Sequence, residues 1–310
     1  MERILVTPRS LTASHHPAVE RLRELGYDVV YCEAGKAPSE EELLRLTPDV
    51  VGWLAGVEPV SEAVIAAARR LRAISRNGVG VDNLPLAALS RRGIAVRAAG
   101  GANAHGVAEL TIGLMFCAMR HIPFADSGVK SGRWPRRIGR ELRDRTVGVV
   151  GYGAIGREVA RLALALGAKA LAYDLAPPAA NAHPGASLVD FGTLVANSDI
   201  VTLHCPAATD GRPLFGAPQF AACRRGVIIV NTARASLIDE GAMLEALNTG
   251  QVASYAVDVF NEEPPRDLTL ASDPRVIATA HIGGYTEESV DRATTAAVEN
   301  LLETLSSASP

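Results

Sequence analysis

The chain has 310 residues, of which 48% are hydrophobic, and its formal net charge is -3. This length predicts two domains, and the slightly acidic charge argues against nucleic acid or an anionic membrane as a partner. No apolar run reaches membrane-spanning length, and the N-terminus begins as a strand and not as a signal peptide, so we expect a cytoplasmic protein. The four cysteines lack paired spacing and predict reduced, mostly buried thiols, and no metal-ligand cluster is apparent.

The first hundred residues alternate between strand and helix patterns. Strands are predicted at 3–7, 28–32, 50–54, 71–75 and 94–97, and helices at 17–25, from 39, at 61–70 and at 85–92. Ser39 followed by Glu42 has the spacing of a capping box. Short connections between alternating elements predict a parallel α/β layer.

A long apolar helix follows this layer. Asn103 is expected to cap it, and it continues to Met119 with apolar residues around most of its circumference, which predicts a buried helix. A basic stretch comes next, with arginines at 133, 136, 137, 140, 143 and 145.

A glycine-rich turn dominates the middle of the chain. An apolar strand at 146–150 runs into G-x-G-x-x-G, with glycines at 151, 153 and 156, and a helix at 155–167 follows with Val159, Leu162 and Leu166 on one face. A second strand, 169–173, ends in Asp174. This order is the dinucleotide-binding fingerprint, because the glycines admit a pyrophosphate to a helix N-terminus and the acid accepts hydrogen bonds from ribose hydroxyls.

The cofactor type follows from the acid. Asp174 would repel a 2′-phosphate, and the next residues, Leu175 to Pro178, supply no arginine or lysine. We therefore predict NAD and not NADP.

Further strands are predicted at 199–203, 226–231, 252–257 and 275–278, and a terminal helix at 287–305. Arg234, Glu263 and His281 each follow one of these strands, at the edge where doubly wound sheets bind ligands. A histidine can supply the proton when a 2-keto acid is reduced, and a carboxylate raises its pKa. A guanidinium can hold the substrate carboxylate and polarise the carbonyl.

Together these motifs resemble the D-2-hydroxyacid dehydrogenase family along nearly the whole chain, and most of all its 3-phosphoglycerate dehydrogenase branch. The matching segments are the glycine turn and 75–83, Asn103 with 107–110, 231–234, 258–265 and 281–284.

The resemblance implies a role for each motif residue. Arg234 would bind the substrate carboxylate, His281 would be the proton donor and acceptor, and Glu263 would pair with it, with the neighbouring Glu262 as the alternative. The substrate would also contact Arg76 and the backbone N–H groups of Val79 and Gly80. Implied cofactor contacts, besides the three glycines, are Ala154, Ile155, Asp174, Cys205, Thr232, Asp258 and Gly283.

The resemblance also implies the architecture. We expect two doubly wound parallel-sheet domains of Rossmann or flavodoxin type with an active-site cleft between them. Residues 1–99 plus 282–310 would form a discontinuous substrate domain, and 100–281 the NAD-binding domain. The long helix and the loop beyond it resemble the family's dimer arm, which predicts a homodimer. Because the sequence stops near residue 310, we expect a short form without the regulatory domain.

The substrate remains open at this point. The segment 53–59 stands where the branch often carries basic residues for a substrate phosphate, and it contains the acid Glu58, which would repel an anion. Arg76 or the arginines at 133, 136 and 137 could compensate, or these arginines could form a solvated or interfacial face. Trp53 could instead line an apolar side-chain pocket.

The sequence is therefore compatible with several functions. The sequence predicts a dehydrogenase acting on D-3-phosphoglycerate or a related phosphorylated or phosphonate acid, with a glyoxylate or hydroxypyruvate reductase as the alternative. A function of another class is an NAD-responsive binding protein like the corepressors that share this architecture. Oxidation of a one-carbon or phosphorus acid is a third possibility, although Glu263 stands where the formate-dehydrogenase variant has glutamine.

Overall fold

A computed structural model describes residues 1–13, 15–176, 185–208 and 210–307. The chain divides into two compact units. Unit 1 comprises Met1–Asn103 and Thr286–Pro310, and unit 2 comprises Ala104–Tyr285. The predicted crossovers near 99 and 282 lie a few residues before these boundaries.

The strands, in chain order, are β1 Arg3–Val6, β2 Asp28–Tyr31, β3 Val50–Ala55, β4 Ala73–Arg76, β5 Ala95–Ala98, β6 Thr146–Val150, β7 Lys169–Tyr173, β8 Ala186–Leu188, β9 Ile200–Leu203, β10 Val227–Asn231, β11 Val252–Val257 and β12 Val276–Ala278. The helices are α1 Arg9–Thr12, α2 Pro17–Glu24, α3 Glu40–Leu46, α4 Glu62–Ala67, α5 Leu86–Arg91, α6 Ala104–Arg120, α7 Ile122–Lys130, α8 Ala154–Ala165, α9 Phe191–Asn197, α10 Ala217–Ala222, α11 Glu240–Asn248 and α12 Glu287–Ser307, with a short 3₁₀ turn at Ala235–Leu237.

Unit 1 is a five-stranded parallel sheet in the order β2-β1-β3-β4-β5. Strand β3 is buried along its whole length, as expected for a central strand covered on both faces. The terminal helix α12 packs on this sheet. Gly52 of β3 makes room for it, because a Cβ there would lie 3.0 Å from Leu305 Cδ1. The last helix therefore belongs with the first hundred residues.

Unit 2 is a seven-stranded parallel sheet in the order β12-β11-β10-β9-β6-β7-β8. Six of these strands have the doubly wound dinucleotide-binding order, and β12 extends it at one edge. The strand order reverses between β6 and β9, so the carboxyl ends of these two strands mark the crevice where such sheets bind ligands. The predicted α/β class with two parallel sheets is confirmed.

Helix α6 is buried over most of its circumference, as its composition predicted, and it packs on α8 and β10. In the part of the chain that the structure describes, no single helix is long and apolar enough to cross a membrane. Helices α6 and α7 reach that length and composition only as a pair, which is bent by 66°.

Some local expectations were wrong. Ser39 accepts a hydrogen bond from Glu42 N, but the Glu42 carboxylate accepts from Glu33 N and so does not complete a capping box. Asn103 precedes α6, yet its buried Oδ1 has no hydrogen-bond partner among the described residues, so it is not a side-chain cap. Leu166 is 44% exposed, because α8 ends at Ala165 and buries Val159, Ala160 and Ala163 instead.

Strand β8 and helix α7 were not predicted. Strand β8 is only three residues long, and helix α7 contains a proline, a serine and a glycine, which are weak helix formers. The position of Trp53 also differs from expectation. Its side chain is fully buried in the core of unit 1, and its indole N–H donates to Thr7 Oγ1 at 2.9 Å, so it lines no side-chain pocket.

Candidate active site

The glycine turn after β6 has the geometry that its sequence requires. Gly151 has φ +91°, and a Cβ there would lie 2.6 Å from Cys205 N. A Cβ on Gly156 would lie 2.0 Å from Gly151 O, so α8 can approach the turn only because this residue is glycine. Gly153, by contrast, has no heavy atom within 4 Å of its Cβ position. The turn is therefore tightly packed beneath and open at Gly153, where a pyrophosphate would approach.

Asp174 lies beside this turn at the end of β7. Its Oδ2 accepts a hydrogen bond from Tyr152 N at 2.6 Å, and its Oδ1 accepts from Ala176 N at 3.0 Å. These bonds fix the carboxylate next to the turn, where ribose hydroxyls would reach it. Pro177 and Pro178, which also entered the prediction of NAD, lie outside the described residues.

The other predicted cofactor residues lie around the same sheet edge. Ala154 and Ile155 are the first residues of α8, and Cys205 follows β9 against Gly151. Thr232 follows β10, and its hydroxyl lies 3.1 Å from that of Thr111 on α6. The sequence analysis did not single out Thr111, which looks like any other core position of an apolar helix.

Arg234 is positioned by the side chain of Asn231, the last residue of β10. Asn231 Nδ2 donates to Arg234 O at 2.8 Å, and Asn231 Oδ1 accepts from Ala233 N at 3.0 Å. Arg234 Nη1 donates to Ala233 O at 2.7 Å. Asn231 was quoted only as part of a motif, and the structure shows that it sets the backbone from which the guanidinium extends.

His281 and Glu263 form a direct pair. His281 Nδ1 donates to Glu263 Oε1 at 2.9 Å and to Oε2 at 2.8 Å, and Glu263 Oε1 also accepts from Phe260 N at 3.1 Å. Because Nδ1 carries the proton in this bond, Nε2 is the nitrogen that can exchange a proton with a ligand. The alternative, Glu262, forms an exposed ion pair with Arg266 instead, at 2.7 Å.

The electrostatics of the pair suit proton transfer near neutral pH. The hydrogen bond that His281 donates to Glu263 raises the pKa of the imidazole above its usual 6.5, although burial and the positive charge of Arg234 lower it. Arg234 follows β10 and His281 follows β12, in a sheet whose strands are parallel. The segment of Arg234 therefore lies at the same edge of unit 2 as the His281–Glu263 pair.

The loop that carries His281 is held by Asp258. His281 has the left-handed φ of 53°, which is uncommon for a residue other than glycine. Asp258, which is buried, accepts hydrogen bonds from Thr279 Oγ1 at 2.6 Å, from Ile282 N at 2.9 Å and from Gly283 N at 2.8 Å. We expected Asp258 and Gly283 to contact the cofactor; what the structure shows is that Asp258 holds the loop of the histidine, in part through Gly283 N.

The three substrate residues predicted in unit 1 follow one another at the end of β4. Arg76 is only 8% exposed, and its Nη1 donates to Asn77 O. A Cβ on Gly78 would lie 2.8 Å from that Nη1, so Arg76 lies against the loop that leads to Val79 and Gly80. Within the described residues, the N–H groups of Val79 and Gly80 donate no hydrogen bond and can bind an acid.

The basic stretch is partly structural. Arg140 Nη1 donates to Gly226 O at 2.7 Å, Arg145 lies 3.9 Å from Asp199, and Arg137 lies over the ring of Phe124 at 3.6 Å. In the parts of the chain with described coordinates, no three histidine, cysteine or acidic side chains are grouped so that they could hold a metal ion.

Comparison with known proteins identifies the family. Residues 112–283 match the model of the D-isomer specific 2-hydroxyacid dehydrogenase NAD-binding domain. The chain is 42% identical to a D-3-phosphoglycerate dehydrogenase of Archaeoglobus fulgidus over 87% of its own length and 52% of that protein. It is 39% identical to a hydroxypyruvate reductase of Thermotoga maritima, over 86% of this chain and 88% of that protein.

A crystal structure of a glyoxylate reductase from Paecilomyes thermophila superposes with a TM-score of 0.85 at 29% identity, covering 97% of this chain and 94% of that one. The chain therefore belongs to the D-2-hydroxyacid dehydrogenase family, and NAD is the cofactor of its second unit. It spans about half the length of the D-3-phosphoglycerate dehydrogenases it matches.

The last two glycines of the turn, Gly153 and Gly156, should respond differently to substitution. Gly156→Ala should lower the free energy of unfolding by about 1–3 kcal/mol, because its Cβ overlaps the Gly151 carbonyl. Gly153→Ala should leave the free energy of unfolding unchanged. It should raise the Kd for NADH about tenfold, which is about 1.4 kcal/mol of binding free energy, because its Cβ fills the open space through which the pyrophosphate approaches. Calorimetric melting and NADH fluorescence titration measure the two effects. Equal losses of stability would contradict this assignment.

The pH dependence should follow the Glu263–His281 pair. With the predicted role of His281 as proton donor, kcat/KM for reduction of a 2-keto acid should fall as pH rises through a pKa above 6.5. Glu263→Gln removes the cause of the raised pKa, so the falling limb should move to lower pH. Glu262→Gln is the matched control and should leave the limb in place. A pH profile of kcat/KM tests this, and an unmoved limb in Glu263→Gln would show that the carboxylate does not tune the imidazole.

Proposed function

We propose that this protein is an NAD-dependent oxidoreductase that interconverts a 2-hydroxy acid and a 2-keto acid. The observation that carries the proposal is the Glu263–His281 hydrogen bond at the same sheet edge at which the segment of Arg234 lies. A proton donor beside a guanidinium is the arrangement that reduction of a 2-keto acid needs. The names of the two relatives and of the similar crystal structure, all dehydrogenases or reductases of such acids, agree with it.

The cofactor would be held by the glycine turn, Asp174 and the strand-end residues of unit 2, and the bound nicotinamide would supply or accept the hydride. Arg234 would bind the substrate carboxylate through two N–H groups and orient the neighbouring carbonyl. His281 would donate its Nε2 proton to the carbonyl oxygen as that oxygen becomes a hydroxyl, and would take the proton back in the reverse direction. Glu263 would keep Nδ1 protonated and stabilise the imidazolium.

Unit 1 carries the other residues that are predicted to bind the substrate. The N–H groups of Val79 and Gly80 would donate to the substrate acid, and Arg76 would hold these residues in place through its contacts with Asn77 and Gly78. The relatives act, by their names, on phosphoglycerate, hydroxypyruvate or glyoxylate, and we propose a small acid of this kind.

Replacing the proposed proton donor tests the function. His281→Asn should lower kcat by about 10²–10⁴-fold while NADH binding is retained, because asparagine tolerates the left-handed backbone but cannot supply the proton. His121→Asn is the matched control, since His121 has nearly the same φ, 52° against 53°. NADH oxidation would be followed with glyoxylate, hydroxypyruvate and phosphohydroxypyruvate.

Two outcomes would contradict the proposal. Near-normal turnover by His281→Asn would remove the histidine from the reaction. Failure of the wild type to oxidise NADH with any of these acids, together with stoichiometric capture of a protein partner, would favour an NAD-responsive binding protein instead.

We further propose that the protein is a homodimer built on the arm that comprises α7 and the segment to residue 138. This arm exposes four large apolar side chains: Ile122 at 46%, Val129 at 52%, Trp134 at 81% and Ile138 at 99%. Several exposed large apolar side chains within one short segment are typical of an interface. A second copy of the chain is the occupant that the resemblance to the family's dimer arm suggests.

The oligomeric state can be tested by removing the arm's apolar anchors. The double substitution Trp134→Ser and Ile138→Ser should convert a dimer to a monomer in sedimentation velocity, because the interface loses its two most exposed apolar groups. Leu25→Ser, on an exposed leucine of unit 1, should leave the dimer intact. A wild-type chain that sediments as a monomer would refute the proposal.

A further inference from the structure

A buried acid lies at the ligand-binding edge of unit 1. In this sheet the strand order reverses between β1 and β3, and the crevice at the carboxyl ends of those strands is where doubly wound sheets bind ligands. Thr7 follows β1, and Gly56 and Glu58 follow β3. Glu58 is only 2% exposed, which is unusual for an acid, and a buried carboxylate needs hydrogen-bond donors or an opposite charge nearby.

Glu58 is fixed by its surroundings. The Thr7 hydroxyl donates to Glu58 Oε1, and Gly56 N donates to the same oxygen at 3.0 Å. The backbone is held as well, because Asn83 Nδ2 donates to Glu58 O at 2.7 Å and to Gly56 O at 3.2 Å. The carboxylate therefore cannot swing into solvent to make room for an anion at this edge.

Glu58 follows β3 and Arg76 ends β4, and these strands are parallel neighbours, so the two opposite charges lie at the same edge of the sheet. Burial raises the pKa of Glu58 above its usual range, although the Thr7 hydroxyl, the backbone and the positive charge of Arg76 oppose this. Arg76 is itself buried at the end of β4, with its guanidinium against Asn77 and Gly78. A guanidinium whose charge is offset by a nearby carboxylate attracts a second anion weakly.

The described segments at the carboxyl ends of β1, β3 and β4 carry no net charge. Residues 7–9, 56–61 and 76–85 contain four charged side chains, two positive and two negative: Arg9, Arg76, Glu58 and Asp82. The helix after β3 is also unsuitable as an anion site. Ser61 already caps the N–H of Val64, its hydroxyl donates to Glu40, and Glu62 lies in the first turn of α4. Acids at a helix N-terminus offset the positive end of its dipole.

We infer that Glu58 is a specificity-determining residue that restricts the substrate to 2-keto acids and 2-hydroxy acids whose only charged group is the reacting carboxylate. This inference rests on the proposed function and names its substrate class. The part of the substrate beyond the reacting carbons is then a hydrogen atom or a small neutral group, such as hydroxymethyl. A phosphate in that place gains no net attraction at the edge of unit 1, because Glu58 offsets the positive charge of Arg76.

The test compares two substrates that differ by a phosphate. The wild type should show a higher kcat/KM with hydroxypyruvate than with phosphohydroxypyruvate at about pH 8, where carboxylates and phosphate monoesters are ionised. Glu58→Gln keeps an acceptor for Thr7 and Gly56 but removes the charge. The ratio of kcat/KM for hydroxypyruvate to kcat/KM for phosphohydroxypyruvate should therefore fall about tenfold, through a lower KM for the phosphorylated acid. Glu41→Gln removes the same charge from an exposed position on α3 and should leave the ratio unchanged.

A second measurement needs no variant. Millimolar inorganic phosphate should leave turnover of hydroxypyruvate by the wild type unaffected, beyond the effect of equal ionic strength from sodium chloride. A wild-type preference for phosphohydroxypyruvate, competitive inhibition by phosphate, or an unchanged ratio in folded Glu58→Gln would overturn the inference while leaving the proposed function in place. Absence of turnover with both acids would instead refute the proposed function, and the inference with it.

Discussion

The site in unit 2 depends on the hydrogen bond between His281 and Glu263, and that bond depends on Asp258. His281 has a left-handed backbone, which costs a residue with a Cβ about 1–2 kcal/mol. Asp258 offsets this cost with three hydrogen bonds to the surrounding loop, and a hydrogen bond to a charged group contributes about 1.5–3 kcal/mol. The hydrogen bonds outweigh the strain, so the imidazole is held with Nδ1 toward Glu263 before any substrate arrives.

At the edge of unit 2 that is predicted to bind the cofactor, segments of backbone pack directly against each other. Gly151 passes against His204 and Cys205 at the end of β9, and Gly156 lies against the carbonyl of Gly151. No side chain fits at either glycine, while Gly153 faces open space. The same turn therefore joins two central strands beneath and leaves free N–H groups above, which is why a mutation in it affects either the fold or the binding of the nucleotide.

The charged side chains at the sheet edge are placed differently in unit 1 and unit 2. In unit 2 the charges of Arg234, Glu263 and His281 lie at a sheet edge where a ligand carboxylate and a proton can meet them. In unit 1, Glu58 and Arg76 are both buried, and each charge largely offsets the other. A binding edge of this kind recognises its ligand through backbone N–H groups and shape more than through net charge.

Local pattern was enough to predict the order of strands and helices, the glycine turn, Asp174 and the family, because each rests on residues that are close together along the chain. The hydrophobic period also predicted the buried helix α6 correctly. Short elements such as β8, and side-chain partners such as that of Glu42, escaped prediction because three residues carry no period and a side chain can choose between several backbone groups.

The tertiary structure decided what depends on residues far apart in sequence. It showed that Glu263 and not Glu262 meets His281, that Asn231 and Asp258 hold the segments of Arg234 and His281, and that Trp53 belongs to the core. It also showed that Glu58, which the sequence placed in a loop, is a buried acceptor of hydrogen bonds from Thr7 and Gly56. The physical reason is that a sequence specifies which groups are present, whereas burial and distance, which determine what those groups do, arise only when separate strands end at one edge of a sheet.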